Sequence, residues 1–321
     1  MPEAAGRDLS IERRHLPAAA RIERFTYRGE PAALIAACRG ADAILTDYVP
    51  FDRPVLKRLE RCRIISVAAT GWDCVDVRAA AERGIRVCSV GEYCTDEVAD
   101  HTLALLLSLN RQLLAYDRQV QVDRSWRWNE IRGLRRLAGQ TLGLIGFGRI
   151  GQAVCRRALG FGLQVLACDP RIDAATVSRH GARKVDLEEL LAEADIVSLH
   201  SNLEAGSRGL LDRAAFARMR RKPLLLNVAR GGLVVEADLV DALDRGLVAG
   251  AALDVLTEDS PDLRHHPLVG RRDVLLTPHV AFYSEAALED LRRISAENIR
   301  AFLDGRPDDV FRLVSPADGT A

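Results

Sequence analysis

From Thr141 onward the chain carries six short aliphatic runs, TLGLIG, QVLACD, DIVSLH, PLLLNV, GAALDV and DVLLTP, with helix-like segments between most of them. Strands that alternate with helices imply a parallel sheet, because each parallel pair needs a crossover connection and the crossover helix covers the sheet's face. This stretch therefore predicts a six-strand doubly wound domain. Upstream, DAILTDY (42–48), RIISVA (63–68) and IRVCSV (85–90), spaced by helix-suited patterns such as VRAAAERG, predict a second domain of the same kind. The expected fold class is α/β, with two Rossmann-like doubly wound parallel-sheet domains. Between the two sets, 96–121 reads as one long helix with apolar residues on more than half of its turns. Such a helix is expected to be buried around most of its circumference, between domains or subunits. The segment 284–304 has clear helical periodicity.

The 321 residues, 48% hydrophobic and 28% charged, suffice for two cores. Lys plus Arg equals Asp plus Glu at 45 each, so no global field favours nucleic acid or an acidic membrane surface, and a small-molecule partner is expected instead. The opening residues MPEAAGRDLSIERRHLPAAA have early acids and no apolar core, which argues against a secretory signal peptide. The most hydrophobic run, 102–109, is far shorter than the roughly 20 residues of a membrane span. Seven cysteines, odd in number and without a CxxC pair, read as reduced thiols, and the expected location is cytoplasmic. No metal site is expected.

Within TLGLIGFGRIGQAV, Gly146, Gly148 and Gly151 form GxGxxG after a strand and at the mouth of a helix, with Arg149 and Ile150 between the second and third glycines. The pattern provides a tight turn, close backbone approach to a pyrophosphate, and anionic phosphates resting on a helix N-terminus. The next strand ends at Asp169, where a carboxylate accepts hydrogen bonds from both ribose hydroxyls. Together these predict a dinucleotide site. Asp169 repels a 2′-phosphate and so favours NAD(H), while Arg171, two residues on, keeps NADP(H) open.

Three further segments fall at or just after strand ends, where open α/β sheets place their ligands. NVARGG puts Arg230 after PLLLNV, DVLTED puts two adjacent acids after GAALDV, and TPHVAFYSE puts His279 after DVLLTP. An arginine, a carboxylate and a histidine beside a nicotinamide make a coherent hydride-transfer site. His279 is the expected acid/base.

These motifs resemble the D-isomer-specific 2-hydroxyacid dehydrogenase family, whose hallmarks are the glycine fingerprint, N-x-x-R-G-G, D-V-x-x-x-E and T-P-H. The likeness runs from about 42 to 305. VAATGWDCVD resembles the glycerate dehydrogenase or hydroxypyruvate reductase branch, and TPHVAFYSEAAL resembles the C-terminal binding proteins, NAD-binding corepressors of the same fold. The resemblance implies a discontinuous substrate-binding domain, 1–97 with 286–321, an NAD-binding domain, 98–285, and a homodimer. It implies Arg230 as carbonyl and carboxylate anchor, and cofactor contacts at Val228, Ala229, His200 and Asp254, the last at the nicotinamide carboxamide. It also implies substrate contacts from the backbone of Ala69, Thr70 and Gly71, with Phe282 as a pocket wall.

Departures from the pattern are specific. Counting from Asp254, the family's glutamate falls on Asp259, with Glu258 one residue short. Aspartate is shorter by one methylene, about 1.5 Å, so either Asp259 or Glu258 is the partner of His279, with Asp259 expected. Val67 stands where the corepressor-like branch has an arginine, which argues against a doubly anionic substrate. Asn202 stands where many relatives have proline. Trp126 and Trp128 follow the long helix and are candidates to reach a partner subunit. The leading reading is an NAD(H)-dependent oxidoreductase interconverting a small 2-keto acid and a D-2-hydroxy acid. The alternatives are a nicotinamide-sensing interaction protein and a dehydrogenase of an anion such as phosphite.

Overall fold

The computed structural model describes residues 8–204, 206–258 and 260–314. Two compact units emerge: Met1–Cys94 with Tyr283–Ala321, and Thr95–Phe282. The sequence expectation puts the divisions at 97/98 and 285/286. Among the described residues the strands run, in chain order, β1 Ala43–Thr46, β2 Ile64–Val67, β3 Arg86–Ser89, β4 Thr141–Ile145, β5 Gln164–Cys168, β6 Arg183–Lys184, β7 Ile196–Leu199, β8 Leu224–Asn227, β9 Gly250–Leu253, β10 Val274–Leu276 and β11 Leu313–Val314.

The discontinuous unit is a four-strand sheet in the order β1-β2-β3-β11. The first three strands are parallel, and β11 returns antiparallel against β3. Successive side chains of β2 leave opposite faces, so fully buried Ile65 enters one core with Leu56 and Val87, and Ile64 enters another with Cys88 and Ile299. The helix Glu285–Leu303 supplies Ile299 to that second face; Ser284 starts it by accepting the Ala287 N–H at 2.9 Å. Arg292 on this helix forks onto Glu12 at 2.7 and 2.6 Å, tying down the helix Ser10–His15.

The continuous unit is a seven-strand parallel sheet in the order β10-β9-β8-β7-β4-β5-β6. Chain order reverses between β4 and β7, the switch point at which open α/β sheets bind ligands. Strands β4, β7, β8 and β9 are buried along their whole length, which explains their unbroken aliphatic runs. At Gly143 an added Cβ would lie 2.5 Å from Leu190 Cδ2, so this glycine lets the helix Leu187–Glu193 lie directly on β4.

Two expectations change. The sheet has a seventh strand, β6, and the other sheet gains β11; each spans two residues, too short to carry a periodic signal. The long helix over 96–121 is two helices, Thr95–Arg111 and Leu113–Gln121, broken where Gln112 takes a left-handed conformation with φ +53°. Burial divides at the same place. The first helix buries Val98, Leu103, Leu105, Leu106 and Leu109, whereas the second buries only Gln119 and exposes Leu113 and Leu114. Among the described residues no helix is long and apolar enough to cross a membrane.

Candidate active site

The glycine turn joins β4 to the helix Arg149–Gly160. Gly146 has φ +96°, and a Cβ on it would lie 2.6 Å from the carbonyl carbon of His200. A Cβ on Gly151 would lie 2.4 Å from the Gly146 oxygen. Gly148 differs: it caps the helix without a side-chain hydrogen bond, and a Cβ there meets nothing within 4 Å. Two glycines are thus required by packing, and the middle one leaves open space over a helix N-terminus, which fits a pyrophosphate. Arg149 is exposed and Ile150 half-buried beside this opening. Asp169 directly follows β5 and accepts the Phe147 N–H at 2.8 Å, so the acid is tied to the glycine turn.

His200 follows β7, and its N–H donates to the Ile145 carbonyl at 2.7 Å. Its Nε2 is 2.8 Å from Ser198 Oγ, and its Nδ1 is buried without a hydrogen-bond partner. Burial pushes the imidazole down to about 3, so it is neutral at physiological pH and walls the glycine turn.

After β8, buried Asn227 organises the next turn. Its Nδ2 donates to the Arg230 carbonyl at 2.9 Å, and its Oδ1 accepts the Ala229 N–H at 3.0 Å. Val228 is buried and Ala229 half-buried within this turn, and half-buried Arg230 donates from Nη1 to the Ala229 carbonyl at 2.8 Å. A Cβ on Gly231 would sit 1.9 Å from the Leu256 oxygen, so only glycine lets the arginine turn press against the acid loop. Glu236 grips that loop from the other direction. It accepts the Thr257 N–H at 2.5 Å and lies 3.2 Å from His266 Nε2. Glu258 lines a cavity of about 430 Å³ with Glu236, Thr257, Asp262 and His266. Asp259 lies outside the described residues.

Asp254, one residue past β9, anchors the histidine loop. Its carboxylate accepts the Thr277 hydroxyl and the N–H groups of Val280 and Ala281, the latter two at 2.9 Å. Its own carbonyl accepts the His279 N–H at 2.7 Å. Because Thr277 donates to Asp254, its oxygen accepts from His101 Nε2 at 3.1 Å, which fixes the His101 tautomer. The Asp254 side chain has 0% exposure. His279 has φ +52°, a left-handed conformation that is strained for a residue with a Cβ, and its ring meets Phe282 edge-on with centroids 6.1 Å apart.

Arg230, Asp254 and His279 therefore follow the C-terminal ends of three adjacent strands, β8, β9 and β10, in one sheet. Ala69, Thr70 and Gly71 follow β2 in the other unit. There Ala69 is buried and its carbonyl accepts the Val90 N–H at 2.9 Å, Thr70 and Gly71 are half-buried, and the Arg312 guanidinium stacks 4.5 Å over the Trp72 ring. Val67 is fully buried core. Sequence reasoning missed Asn227, Thr277, Glu236 and His101 as positioning groups. The first two stand inside motifs whose neighbours draw the attention, whereas His101 is 176 residues from Thr277 and gives no local signal.

Two outcomes follow from this geometry. Asp254→Asn turns an amide N–H toward backbone donors and is expected to cost about 3 kcal/mol in urea unfolding, with faster hydrogen exchange over 279–281. His200 has a lowered folded pKa, so the unfolded chain binds the extra proton first, at about 6.5, and the stability contributed by neutral His200 is lost as pH falls from there toward 3. The stability advantage of wild type over His200→Gln is expected to shrink by about 2 kcal/mol between pH 7 and 5, read from paired urea titrations.

Residues 103–281 match the family model described as D-isomer specific 2-hydroxyacid dehydrogenase, NAD binding domain. The chain is 35% identical over 275 residues, 84% of each chain, to a hydroxypyruvate reductase of Blautia hydrogenotrophica. It is 33% identical to a glycerate dehydrogenase of Methylorubrum extorquens, covering 87% of this chain and 88% of that one. The solved D-lactate dehydrogenase of Aquifex aeolicus, complexed with NAD and lactic acid, superposes with a TM-score of 0.82 at 27% identity, covering 89% of this chain and 90% of that one. By that family match and by relatives 35% and 33% identical over most of its length, the chain belongs to the D-isomer-specific 2-hydroxyacid dehydrogenase family and is an NAD-dependent enzyme.

Proposed function

We propose that this enzyme reduces a small 2-keto acid of the hydroxypyruvate or glyoxylate class to the D-2-hydroxy acid, with His279 as acid/base and Arg230 as anchor. The observation that carries this reading is the left-handed His279, fixed on a loop that a buried carboxylate holds by three donors. Backbone strain at a titratable residue, sustained by a dedicated clamp, is the mark of a positioned functional group. NADH, when bound, would supply the hydride that the carbonyl carbon takes up. His279 gives the carbonyl oxygen its proton and recovers it in the oxidation direction. The planar guanidinium of Arg230 pairs with the substrate carboxylate and polarises the carbonyl.

Asp259 is our candidate for the carboxylate that raises the His279 pKa. Glu258 lines a cavity with Glu236 and His266, which supports Asp259 over Glu258. For the cofactor, Gly146, Gly148, Arg149, Ile150 and Gly151 would carry the pyrophosphate and Asp169 the ribose. His200, Val228 and Ala229 would line the same edge, with Asp254 at the nicotinamide end. Ala69, Thr70, Gly71 and Phe282 are proposed substrate contacts. A cytoplasmic location fits buried thiols such as Cys62, which burial pushes up to about 12, and Cys88, pushed up to about 11.

The test is NADH consumption on hydroxypyruvate, glyoxylate, pyruvate and phenylpyruvate. Turnover is expected, with His279→Gln lowering kcat by about 10³-fold and Arg230→Gln raising KM as well. Asp259→Asn is expected to shift the basic limb of the kcat–pH profile for reduction to lower pH, because His279 loses its proton sooner; Glu258→Gln leaves that limb in place. Tight NADH binding without turnover on any of these acids would overturn the enzyme reading for this substrate class.

A homodimer is proposed from the apolar surface on and beyond the helix Leu113–Gln121. Leu114 and Val122 are each 62% exposed, Trp126 88% and Trp128 84%, while buried Gln119 pins the following segment by donating to the Arg127 carbonyl at 2.9 Å. Pinned aromatic rings in water are the anchors of protein interfaces. Light scattering is expected to give two chains for wild type and one for the pair Leu114→Glu with Trp126→Glu. A wild-type monomer at micromolar concentration refutes this assembly.

A further inference from the structure

Asp169 and Arg171 present opposite charges at the ribose end of the glycine turn. The Asp169 carboxylate accepts the Phe147 N–H and the Arg171 N–H, each at 2.8 Å, so Arg171 is set beside the acid by the chain's own turn. In dinucleotide sites of this topology an acid alone serves the ribose hydroxyls, whereas a nearby arginine accommodates a 2′-phosphate. This chain carries both.

The arginine is already engaged. Its Nη2 lies 2.6 Å from both carboxylate oxygens of Glu204. Arg171 comes from the segment after β5 and Glu204 from the segment after β7, and β4 with its glycine turn lies between those strands. The ion pair therefore straps the mouth of the switch point from one flank to the other. Glu204 is itself held by its own segment. Its N–H donates to Ser207 Oγ at 2.8 Å, and that hydroxyl donates to the Asn202 carbonyl at 2.9 Å. Glu204 is the less exposed partner, at 34% of its side chain against 67% for Arg171, so the glutamate is the fixed post and the arginine the arm.

We propose that Glu204 is a latch that sets cofactor selectivity by taking the charge of Arg171 out of use. With the latch closed, a 2′-phosphate meets two carboxylates, Asp169 and Glu204, and no available guanidinium, so the enzyme selects NAD(H) over NADP(H). Removing Glu204 both frees the arginine and deletes a repelling charge, and the two effects add in the same direction. The strap is exposed, so its strength is modest and falls with salt.

The inference rests on Asp169 facing the ribose, and fluorescence titration of the full chain with NADH and NADPH separates the two. Wild type is expected to bind NADH more tightly. Glu204→Gln is expected to tighten NADPH by about tenfold while moving NADH by less than about twofold. Adding Arg171→Gln to Glu204→Gln is expected to remove most of the gain, leaving only the part that comes from the deleted Glu204 charge. An unchanged ratio of the two dissociation constants in Glu204→Gln overturns the latch, as does a gain that survives Arg171→Gln undiminished. If Asp169→Asn leaves NADH binding unaltered, the ribose assignment itself is wrong and the latch falls with it.

Discussion

The buried carboxylate of Asp254 is the tie on which the loops at the C-terminal edge of the larger sheet depend. A strand that ends in solvent leaves its following loop free to choose among conformations, and ordering each residue costs about 1–2 kcal/mol. Asp254 resolves this by accepting three donors from the loop after β10 and by lending its carbonyl to the His279 N–H. Its own N–H donates to the Asn227 carbonyl at 2.8 Å, so the same residue joins the ends of β8, β9 and β10. Replacing it with an apolar side chain would leave buried N–H groups without acceptors, which is the costly failure in a polar network.

Close backbone approach is the second constraint, and it explains which glycines matter. Gly146, Gly151 and Gly231 each stand where a Cβ would overlap backbone, so no side-chain adjustment could relieve the clash. The first welds the glycine turn to the segment after β7, and the second packs the start of the helix Arg149–Gly160 onto that turn. The third welds the turn bearing Arg230 to the loop that leads to Asp259. Gly148 has open space instead, at the start of the helix Arg149–Gly160, so packing within the chain does not require glycine there, and the room it leaves fits a phosphate.

Much of this was legible in the sequence because parallel strands buried on both faces read as plain aliphatic runs, and because motif spacing survives without any knowledge of packing. The six runs from Thr141 all became strands, and the residues singled out after them do follow strand ends. What escaped was non-local or too short. The two-residue strands β6 and β11 carry no period. The break at Gln112 sits inside an unbroken amphipathic pattern, because a left-handed residue closed by its own side chain onto the Leu109 carbonyl needs neither glycine nor proline. Asp254 was legible as a strand-end acid, but its duty toward the loop depends on a turn 23 residues away.

The balance of terms at His279 explains why a clamp this elaborate is present. A left-handed conformation at a residue with a Cβ costs about 1–2 kcal/mol, and the preceding Pro278 removes a donor that would otherwise help fix the turn. Charge-assisted hydrogen bonds to a buried carboxylate contribute roughly 1.5–3 kcal/mol each. Three of them outweigh the strain even after the cost of burying Asp254 is allowed for. The surplus is what makes the histidine's position rigid rather than one of several. A right-handed His279 would relax its own backbone but would swing Val280 and Ala281 off the carboxylate, losing more than it gained. The strained conformation is therefore the stable one in this setting, and the imidazole is presented by a loop tied to the sheet edge.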